Sequence, residues 1–191
     1  MRNRDITGAV LAGGKSLRMG RDKAFLMFEG RTFVDRVVHT LQEVFESVVV
    51  VSDRGGVFGV PVFADIYKNC GPLGGIHAAL TFAETRAIFV ASCDLALLTS
   101  SVVLSIVSSN LGSDVIIAST DAGIQPLCGL YHRRCIPVLE AHLRAGQFSV
   151  HRFLRHVSTS TVDVSAYGAA LTNINTPGEY TRALHALPRH G

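Results

Sequence analysis

The chain has 191 residues with 18 Lys and Arg, 15 Asp and Glu, a formal net charge of +3 and 48% hydrophobic residues. This length fits one domain with a large core, and so small a net charge gives no reason to expect nucleic acid binding. No apolar run approaches the roughly 20 residues of a membrane span, and the first residues lack the apolar segment of a signal peptide. We therefore expect a cytoplasmic protein that acts neither on nucleic acid nor in a membrane.

Hydrophobic periodicity predicts strands and helices in turn along the chain. Strands are predicted at 6–12, 47–52, 61–63, 87–93, 113–119, 127–132 and 159–164. Helices are predicted at 32–45, 73–83, 100–108, 135–144, 150–155 and 177–187, the last after an N-cap at Thr176. This alternation favours one α/β domain over 1–191 on a doubly wound, mostly parallel but mixed sheet, with frayed ends near 1–4 and 188–191. Ligands of such sheets bind beyond the carboxyl ends of the strands.

The cysteines show neither metal-binding nor redox spacing. They are Cys70, Cys93, Cys128 and Cys135, and no pair forms C-x-x-C. The eight histidines show no H-E-x-x-H spacing. We therefore expect buried thiols in a reducing cytoplasm rather than a disulfide scaffold or a zinc site.

A glycine-rich, cationic loop follows the first predicted strand. Residues 11–23 read LAGGKSLRMGRDK, in which Lys15, Arg18, Arg21 and Lys23 carry positive charge. Glycine lets the backbone approach a ligand closely, and successive N–H groups in such a turn form a concave anion site. The stretch therefore predicts a polyphosphate-binding loop.

Two common phosphate loops do not fit this stretch. Gly14-Lys15-Ser16 matches the end of a Walker A loop, but the first glycine of that motif would fall at Ala9. The adjacent glycines at 13 and 14 also break the pattern G-x-G-x-x-G. A P-loop kinase is therefore disfavoured.

A third pattern, L-A-G-G-x-x-x-R-M-G-x-D-K, fits at every fixed position. Those positions are Leu11, Ala12, Gly13, Gly14, Arg18, Met19, Gly20, Asp22 and Lys23. The chain thus resembles the molybdenum cofactor guanylyltransferases, which join GMP from GTP to molybdopterin. Further similar motifs are CGPLGGI at 70–76, Cys93-Asp94, QPLCGLY at 125–131 and NINTPGEY at 173–180. The resemblance runs from about residue 6 to residue 180.

The resemblance implies a Rossmann-like nucleotidyltransferase fold in which a molybdopterin phosphate attacks the α-phosphorus of GTP and pyrophosphate leaves. The implied catalytic residues are Lys23, Arg18 and Asp94, with Mg²⁺ as the cofactor and Asp94 as its ligand. The implied nucleotide contacts are Leu11, Ala12, Gly13, Gly14, Lys23, Asp53, Asp65, Gly71, Pro72, Leu73 and Asp94. GTP and molybdopterin are the implied substrates. Molybdenum-insertion proteins and the chaperones of target molybdoenzymes are the implied partners.

Three of these residues also have plain structural interpretations. The alternatives are a surface salt bridge from Arg18 to Asp22, a turn cap at Asp94 and a solvated loop acid at Asp65. Such roles require no ligand, so the structure around each residue must distinguish them.

The sequence departs from the family pattern at two positions. Ala96 stands where a proline is expected, so we expect a looser loop after Asp94. Asp53 stands where a family asparagine touches GTP. A carboxylate still accepts hydrogen bonds from N1–H and the N2 amine of guanine. The CGPLGGI loop favours guanine, because the related cytidylyltransferases carry a serine-containing loop there.

One span of the chain is distinctly basic. Between residues 122 and 162 the only acid is Glu140. The arginines of this span are Arg133, Arg134, Arg144, Arg152 and Arg155. The span is either a solvated helix face or a surface for anionic molybdopterin or an acidic partner. Gln125 and Asn175 lie in family motifs, as pterin contacts or loop braces.

Two other functions remain open. One is a related nucleotidyltransferase that uses CTP or a sugar-phosphate acceptor, although sugar enzymes usually carry an added domain for which this chain has no spare length. The other is a non-catalytic nucleotide-binding module, which would not require both Lys23 and Asp94.

Overall fold

Strands and helices alternate along the chain. The computed structural model describes residues 2–13, 27–28, 30–53, 55–56, 58–109, 111–174, 176, 178–179 and 182. Its strands are β1 (Asn3–Leu11), β2 (Met27–Phe28), β3 (Arg31–Thr32), β4 (Phe45–Val51), β5 (Val62–Phe63), β6 (Ala87–Ser92), β7 (Val115–Thr120), β8 (Gly123–His132) and β9 (Thr159–Asp163). Its helices are α1 (Phe33–Val44), α2 (Gly71–Phe82), α3 (Ser100–Ser108), α4 (Ile136–Arg144) and α5 (Val150–Leu154). Short 3-10 helices cover Arg133–Cys135 and Ser165–Leu171. The predicted alternation is confirmed over these residues.

Seven of these strands form one sheet, in the spatial order β5-β4-β1-β6-β8-β7-β9, and β2 pairs with β3 in a separate hairpin. β8 is antiparallel to both of its neighbours, while the other described pairs of the large sheet are parallel. From β1 the chain adds β4 and β5 on one side and then crosses to β6 on the other. The predicted doubly wound, mixed sheet is confirmed, and its strand order reverses beside β1, where such sheets bind ligands.

Both faces of the sheet are buried. Helices α1 and α3 cover one face, where Val10 and Val50 point, and α2, α4 and α5 cover the other, where Ala9 and Val49 point. Adjacent residues of a strand thus point into the cores on opposite faces of the sheet. Because every position of such a strand is buried, its sequence is a continuous run of apolar residues. The four cysteines are buried thiols that form no disulfide with one another, as predicted. Among the described residues, no helix is both long enough and apolar enough to span a bilayer.

Capping boxes mark the starts of two helices. Before α1, Thr32 Oγ1 accepts from Asp35 N–H (3.1 Å), and Asp35 Oδ2 accepts from Thr32 N–H (3.2 Å). The same reciprocal pair joins Thr176 and Glu179, at 3.1 and 3.2 Å. The predicted cap at Thr176 is therefore confirmed, although most of the predicted helix 177–187 lies outside the described residues.

β8 begins at Gly123, four residues before its predicted start. Its pairing with β7 shifts between Ile117 and Ala118 and passes over residues 126–128. Pro126 cannot donate to a strand ladder and therefore suits such a bulge. The bulge interrupts the alternating pattern, so the sequence shows only the second half of the strand.

Candidate active site

Four loops converge at one edge of the sheet. Strands β5, β4, β1 and β6 are adjacent and parallel, so they all end at the same edge, which we call the carboxyl edge; the opposite one is the amino edge. At the end of β1, Leu11 lies level with Val51 of β4 and Ser92 of β6. Four predicted site residues each stand two positions after the last residue of one of these strands: Gly13, Asp53, Asp65 and Asp94. The fold thus brings distant parts of the sequence to one edge.

The turn after β1 starts from a fixed point. Ala12 N–H donates to the carbonyl of Val51 (2.9 Å), and Cys93 N–H donates to that of Leu11 (3.1 Å). Beyond them Gly13 is exposed, and a Cβ placed there would meet no described atom within 4 Å. The backbone at Gly13 is therefore open to a ligand at the reversal in strand order. Three predicted site residues of this loop lie outside the described residues: Gly14, Arg18 and Lys23.

Asp94 presents a carboxylate with unmet hydrogen-bonding capacity. It stands in the turn after β6, where its carbonyl oxygen accepts from Ile174 N–H (2.9 Å). Oδ1 of its carboxylate is buried and has no hydrogen-bond partner among the described residues. A buried oxygen without a partner is unfavourable, and a carboxylate oxygen is a ligand that Mg²⁺ prefers. The side chain therefore suits a bound cation better than the alternative role of a turn cap.

The loop after Asp94 is packed. Leu95, Ala96, Leu97 and Leu98 are all buried. Leu98 N–H donates to the carbonyl of Leu95 (2.9 Å), and the hydroxyl of Thr40 in α1 donates to that of Leu98 (3.1 Å). The expectation of a looser loop at Ala96 was wrong, because apolar burial and these hydrogen bonds hold the segment without proline.

One carboxylate ties the segments that follow β4 and β5 together. Oδ1 of Asp53 accepts from Asp65 N–H (3.1 Å) and from Lys68 Nζ (2.5 Å). Sequence reasoning missed Lys68, because the two partners are 15 positions apart and no periodic pattern relates them. Asp53 is therefore engaged within the protein on one oxygen.

Asp65 lies in an acidic and partly buried place. Burial, and then the charge of Asp53, raise the pKa of the Asp65 carboxyl to about 6, against the opposing charge of Lys68. The carboxyl lies against two glycines of α2: a Cβ at Gly74 would lie 3.5 Å from Oδ2, and one at Gly75 would lie 3.7 Å from Oδ1, both ordinary contact distances. Asp65 is thus packed under α2 rather than being a fully solvated loop acid. A raised carboxyl pKa in a partly buried position beside other charged groups is typical of functional sites.

The turn that leads into α2 is shaped for an electron-rich group. Asn69 and Gly71 both have φ of 61° and flank Cys70, which lies on the right-handed side with φ of −95°. Alternating left- and right-handed residues direct successive N–H groups into one concavity. Cys70, at the N-cap, makes no side-chain capping bond within the described chain, so the first amides of α2 are not covered by a cap. The buried side chain of Leu73, which follows Pro72, anchors this first turn.

A buried histidine braces α2 against α4. His77 is only 3% exposed; its Nε2 lies 3.6 Å from Oε1 of Glu140, and its ring meets that of Tyr67 at 5.1 Å between centroids. Glu140 also pairs with Arg144 of α4 at 2.7 Å. These contacts hold the turn at Tyr67, and so the approach to α2, against the body of the protein.

β8 begins at the carboxyl edge, on the side of β6 away from β1. Because β8 is antiparallel to β6, the half-buried Gln125 near its beginning lies at the carboxyl edge. Asn175, which follows the Asp94 partner Ile174, lies outside the described residues. The fold therefore places Gln125 at the same edge as Asp94, and its contact with a pterin stays a prediction.

The basic span is mostly engaged within the protein. Three of its arginines donate to internal acceptors: Arg133 to Ala83, Arg134 to Asp114 and Arg144 to Glu140. Arg152 and Arg155 are exposed, and they lie on α5 and directly after it. This segment leads into the amino end of β9, so the two exposed arginines lie away from the Asp94 loop.

A cleft of about 840 Å³ lies at the amino edge, beside β5. Four charged residues of its wall pair with each other: Arg4 with Glu46 at 2.6 Å, and Arg86 with Asp5 at 3.6 Å. These groups are already neutralised by their partners. The cleft therefore offers less to a polyanion than the carboxyl edge, despite its volume.

Known proteins similar to this one match nearly the whole chain. The molybdenum cofactor guanylyltransferase of Desulfosudis oleivorans is 32% identical, over 95% of this chain and 96% of that protein. That of Photobacterium profundum is 33% identical, over 89% and 91%. The resemblance seen in the motifs is thereby confirmed.

Solved structures share the fold. A protein of Aquifex aeolicus is 30% identical with a TM-score of 0.78, over 89% of this chain and 93% of that one. The molybdopterin-guanine dinucleotide biosynthesis protein A of Archaeoglobus fulgidus is 24% identical with a TM-score of 0.76, over 93% and 96%. Residues 8–162 match the MobA-like NTP transferase domain, and the chain belongs to that family of nucleotidyltransferases.

Proposed function

We propose that this chain transfers GMP from GTP to the phosphate of molybdenum-molybdopterin, giving the guanine dinucleotide form of the molybdenum cofactor and pyrophosphate. The observation that carries the proposal is the carboxyl edge. There the open glycine turn after β1 and the Asp94 carboxylate, with its buried oxygen, stand on either side of the strand reversal. The guanylyltransferase names of the relatives support the choice of substrates. In this proposal residues 1–191 act as one nucleotidyltransferase domain.

Asp94 would hold Mg²⁺. The described residues contain no cluster of three or more His, Cys, Asp or Glu side chains that could bind a metal. Such a cluster is not required, because Mg²⁺ commonly takes one or two protein carboxylates together with substrate phosphates and water. When bound, the ion would neutralise charge on the phosphate oxygens.

Besides holding the metal, the chain would position the two substrates and neutralise the charge of the phosphates. These two effects dominate the catalysis of phosphoryl transfer. N–H groups of the β1 turn at Gly13 and of the first turn of α2 would donate to the nucleotide. Arg18 and Lys23 would neutralise the triphosphate, so that pyrophosphate can leave. Asp94, fixed by the packed loop behind it, would set where the pterin phosphate and the α-phosphate meet.

Asp53 and Asp65 would select the nucleotide. An ionised carboxylate only accepts hydrogen bonds, and guanine presents two donors, N1–H and the N2 amine. Cytosine presents one donor, its N4 amine, beside acceptors at N3 and O2, which a carboxylate repels. A carboxylate at Asp53 therefore supports guanine.

The test is transfer of an α-phosphate label from each of the four nucleoside triphosphates to molybdopterin, with Mg²⁺ and with a chelator. We expect transfer from GTP only, its loss with chelator, and a larger rise in melting temperature with GTP than with CTP or ATP. Transfer from CTP alone would assign the related cytidylyltransferase activity. No transfer from any triphosphate would contradict the proposal.

Protein partners that insert molybdenum, or that serve the target molybdoenzymes, would meet the exposed arginines of the basic span. Arg152 and Arg155 lie away from the Asp94 loop, which favours an acidic partner over direct contact with the pterin. The double variant Arg152→Gln/Arg155→Gln should lose binding to an acidic molybdoenzyme chaperone in a pull-down. It should keep the wild-type rate with free molybdopterin; a reduced rate with the free pterin would instead place these arginines at the substrate.

A further inference from the structure

We propose that Lys68 is a positioning residue of the nucleotide site that acts through Asp53, by compensating the charge of that carboxylate at the mouth of the crevice. The inference deepens the proposed function and rests on it. It assigns Lys68 no contact with the nucleotide itself.

The geometry around Asp53 supports this role. In the described part of the chain, both hydrogen bonds to its carboxylate fall on Oδ1, one from Lys68 Nζ at 2.5 Å and one from Asp65 N–H at 3.1 Å. The side chain of Lys68 is 54% exposed and that of Asp53 is 40% exposed. The pair therefore lies at the surface of the carboxyl edge, where a bound polyanion would experience its net charge.

The described part of the carboxyl edge carries several acids. Three of its carboxylates stand after the strands, at Asp53, Asp65 and Asp94, and each repels a triphosphate when it is ionised. Mg²⁺ would compensate Asp94, and Asp65, whose pKa burial raises to about 6, still carries most of its charge at neutral pH. Asp53 is compensated by Lys68.

The same contact restrains the turn before α2. Both ends of the segment 65–68 donate hydrogen bonds to the Asp53 carboxylate, one from the backbone N–H of Asp65 and one from the side chain of Lys68. The carbonyl of Lys68 in turn accepts from the thiol of Cys70 (3.3 Å), which is the N-cap of α2. The Lys68 contact therefore links the end of β4 to the first amides of α2.

A stability role does not account for the pair. An ion pair with both partners this exposed contributes little to folding, because water screens the attraction and two side chains lose freedom. A charge beside a polyanion, however, acts on binding even when it is exposed. The effect of Lys68 should therefore be found in the affinity for the nucleotide.

The experiment is a double-mutant cycle of Lys68→Gln and Asp53→Asn, measured as the dissociation constant of the Mg²⁺ complex of GTP and as KM and kcat. With Asp53 present, Lys68→Gln should raise the dissociation constant and KM about fivefold, as expected of one uncompensated charge near the triphosphate in a wet crevice. The value of kcat should stay within about twofold, because the reacting atoms are untouched. The double variant should bind GTP within about twofold of the wild type, because removing both charges restores a neutral pair and the amide at position 53 keeps an acceptor for Asp65 N–H.

Two readouts separate this role from a structural one. The fivefold loss should shrink at about 0.5 M salt, where exposed charges are screened. The control Arg86→Gln, which removes one charge from an exposed pair at the amino edge, should leave GTP binding unchanged. Melting temperatures of all variants should agree within about 2 °C, since surface pairs contribute little to stability.

Three results would overturn the proposal. They are a double variant that binds GTP as weakly as Lys68→Gln alone, which would make Lys68 a direct ligand of the nucleotide, no loss in either background, and a loss that salt does not change. Failure of the proposed function is distinguishable. If the wild type binds CTP or ATP instead of GTP, the cycle runs with that nucleotide and still tests Lys68.

Discussion

The two edges of the sheet differ in the acids that lack a positively charged partner. At the amino edge Glu46 is paired with Arg4 and Asp114 with Arg134. At the carboxyl edge Asp94 holds a buried oxygen without a partner among the described residues, and Asp65 has a raised pKa of about 6. The described residues also line a cleft of about 840 Å³ at the amino edge. A cleft whose acids are paired is a weaker guide to the site than unmet chemistry, because a ligand must supply what the protein leaves unsatisfied.

The largest difference between the edges should appear on removing one carboxylate from each. Asp94→Ala should lower kcat for GMP transfer by about 100-fold or more, the size seen when one preorganised charge-stabilising group is lost. It should not lower the melting temperature, because the lost carboxylate oxygen has no described partner. Single-turnover kinetics and thermal denaturation measure the two quantities.

Asp5→Ala is the matched control at the amino edge, where the carboxylate pairs with Arg86 at 3.6 Å. Its transfer rate should equal that of the wild type. Normal turnover of the Asp94 variant, or an equal loss in the Asp5 variant, would remove the distinction between the edges.

The packing of α2 against the carboxyl edge should give an intermediate effect. A Cβ at Gly74 would lie 3.0 Å from the carbonyl oxygen of Tyr67, which is backbone, and 3.2 Å from Cβ of Cys70. Gly74→Ala should therefore displace the turn that leads into α2, and raise KM for GTP about tenfold, as small misplacements in binding sites do. Steady-state kinetics with GTP varied measures it.

Gly75→Ala provides the comparison for Gly74. Its Cβ would lie 3.2 Å from Cδ2 of Leu11, a side-chain atom that can move. Both variants gain about 1 kcal/mol in helix propensity, so a difference in KM between them reports packing against the turn. Equal KM values would show that the turn does not depend on a small residue at Gly74.

The smallest effect concerns stability and pH. The pKa of Asp65 is about 6 in the folded chain against an ordinary value of 3.8, so between these values the folded chain holds a proton that the unfolded chain releases. Asp65 therefore reduces stability progressively as pH rises from about 4 to 6, and fully above 6. Asp65→Asn should raise the free energy of unfolding at pH 8 by about 1 kcal/mol, after allowing for solvent screening. For a chain of this size, that corresponds to a rise in melting temperature of about 2–4 °C. The gain should be smaller at pH 5, and the affinity for GTP should fall.

Asp163→Asn is the control of opposite sign. Hydrogen bonds from the hydroxyl and N–H of Ser165 lower the pKa of the Asp163 carboxyl, so its contribution favours folding at neutral pH. Its melting temperature at pH 8 should not rise. A gain for both variants, or none for Asp65→Asn, would contradict the raised pKa.

The sequence predicts the strands and helices well because their hydrophobic patterns repeat along the chain. Continuous apolar runs place β1, β4 and β6, and 3.6-residue periodicity places α1, each within a few residues. The Gly-Pro-Leu-Gly-Gly opening places α2 equally well. The parallel order then brings Gly13 and Asp94 to one edge, since strands of the same direction end together. These features follow from local pattern and topology.

The contacts missed by the sequence are all tertiary. Lys68 contacts Asp53 because the segments after the neighbouring strands β5 and β4 lie side by side, and His77 contacts Glu140 because α2 and α4 pack together. The loop at Ala96 was expected to be loose because a proline is missing, but burial against α1 holds it. Side-chain pairing of this kind leaves no periodic signal in the chain.

The most direct test of the central claim is a crystal structure of the chain with GTP and Mg²⁺. We predict density for the triphosphate over the turn at Gly13, and a cation about 2.0–2.1 Å from an Asp94 carboxylate oxygen. Nucleotide density in the amino-edge cleft, with the Asp94 carboxylate free of metal, would contradict the assignment of the site.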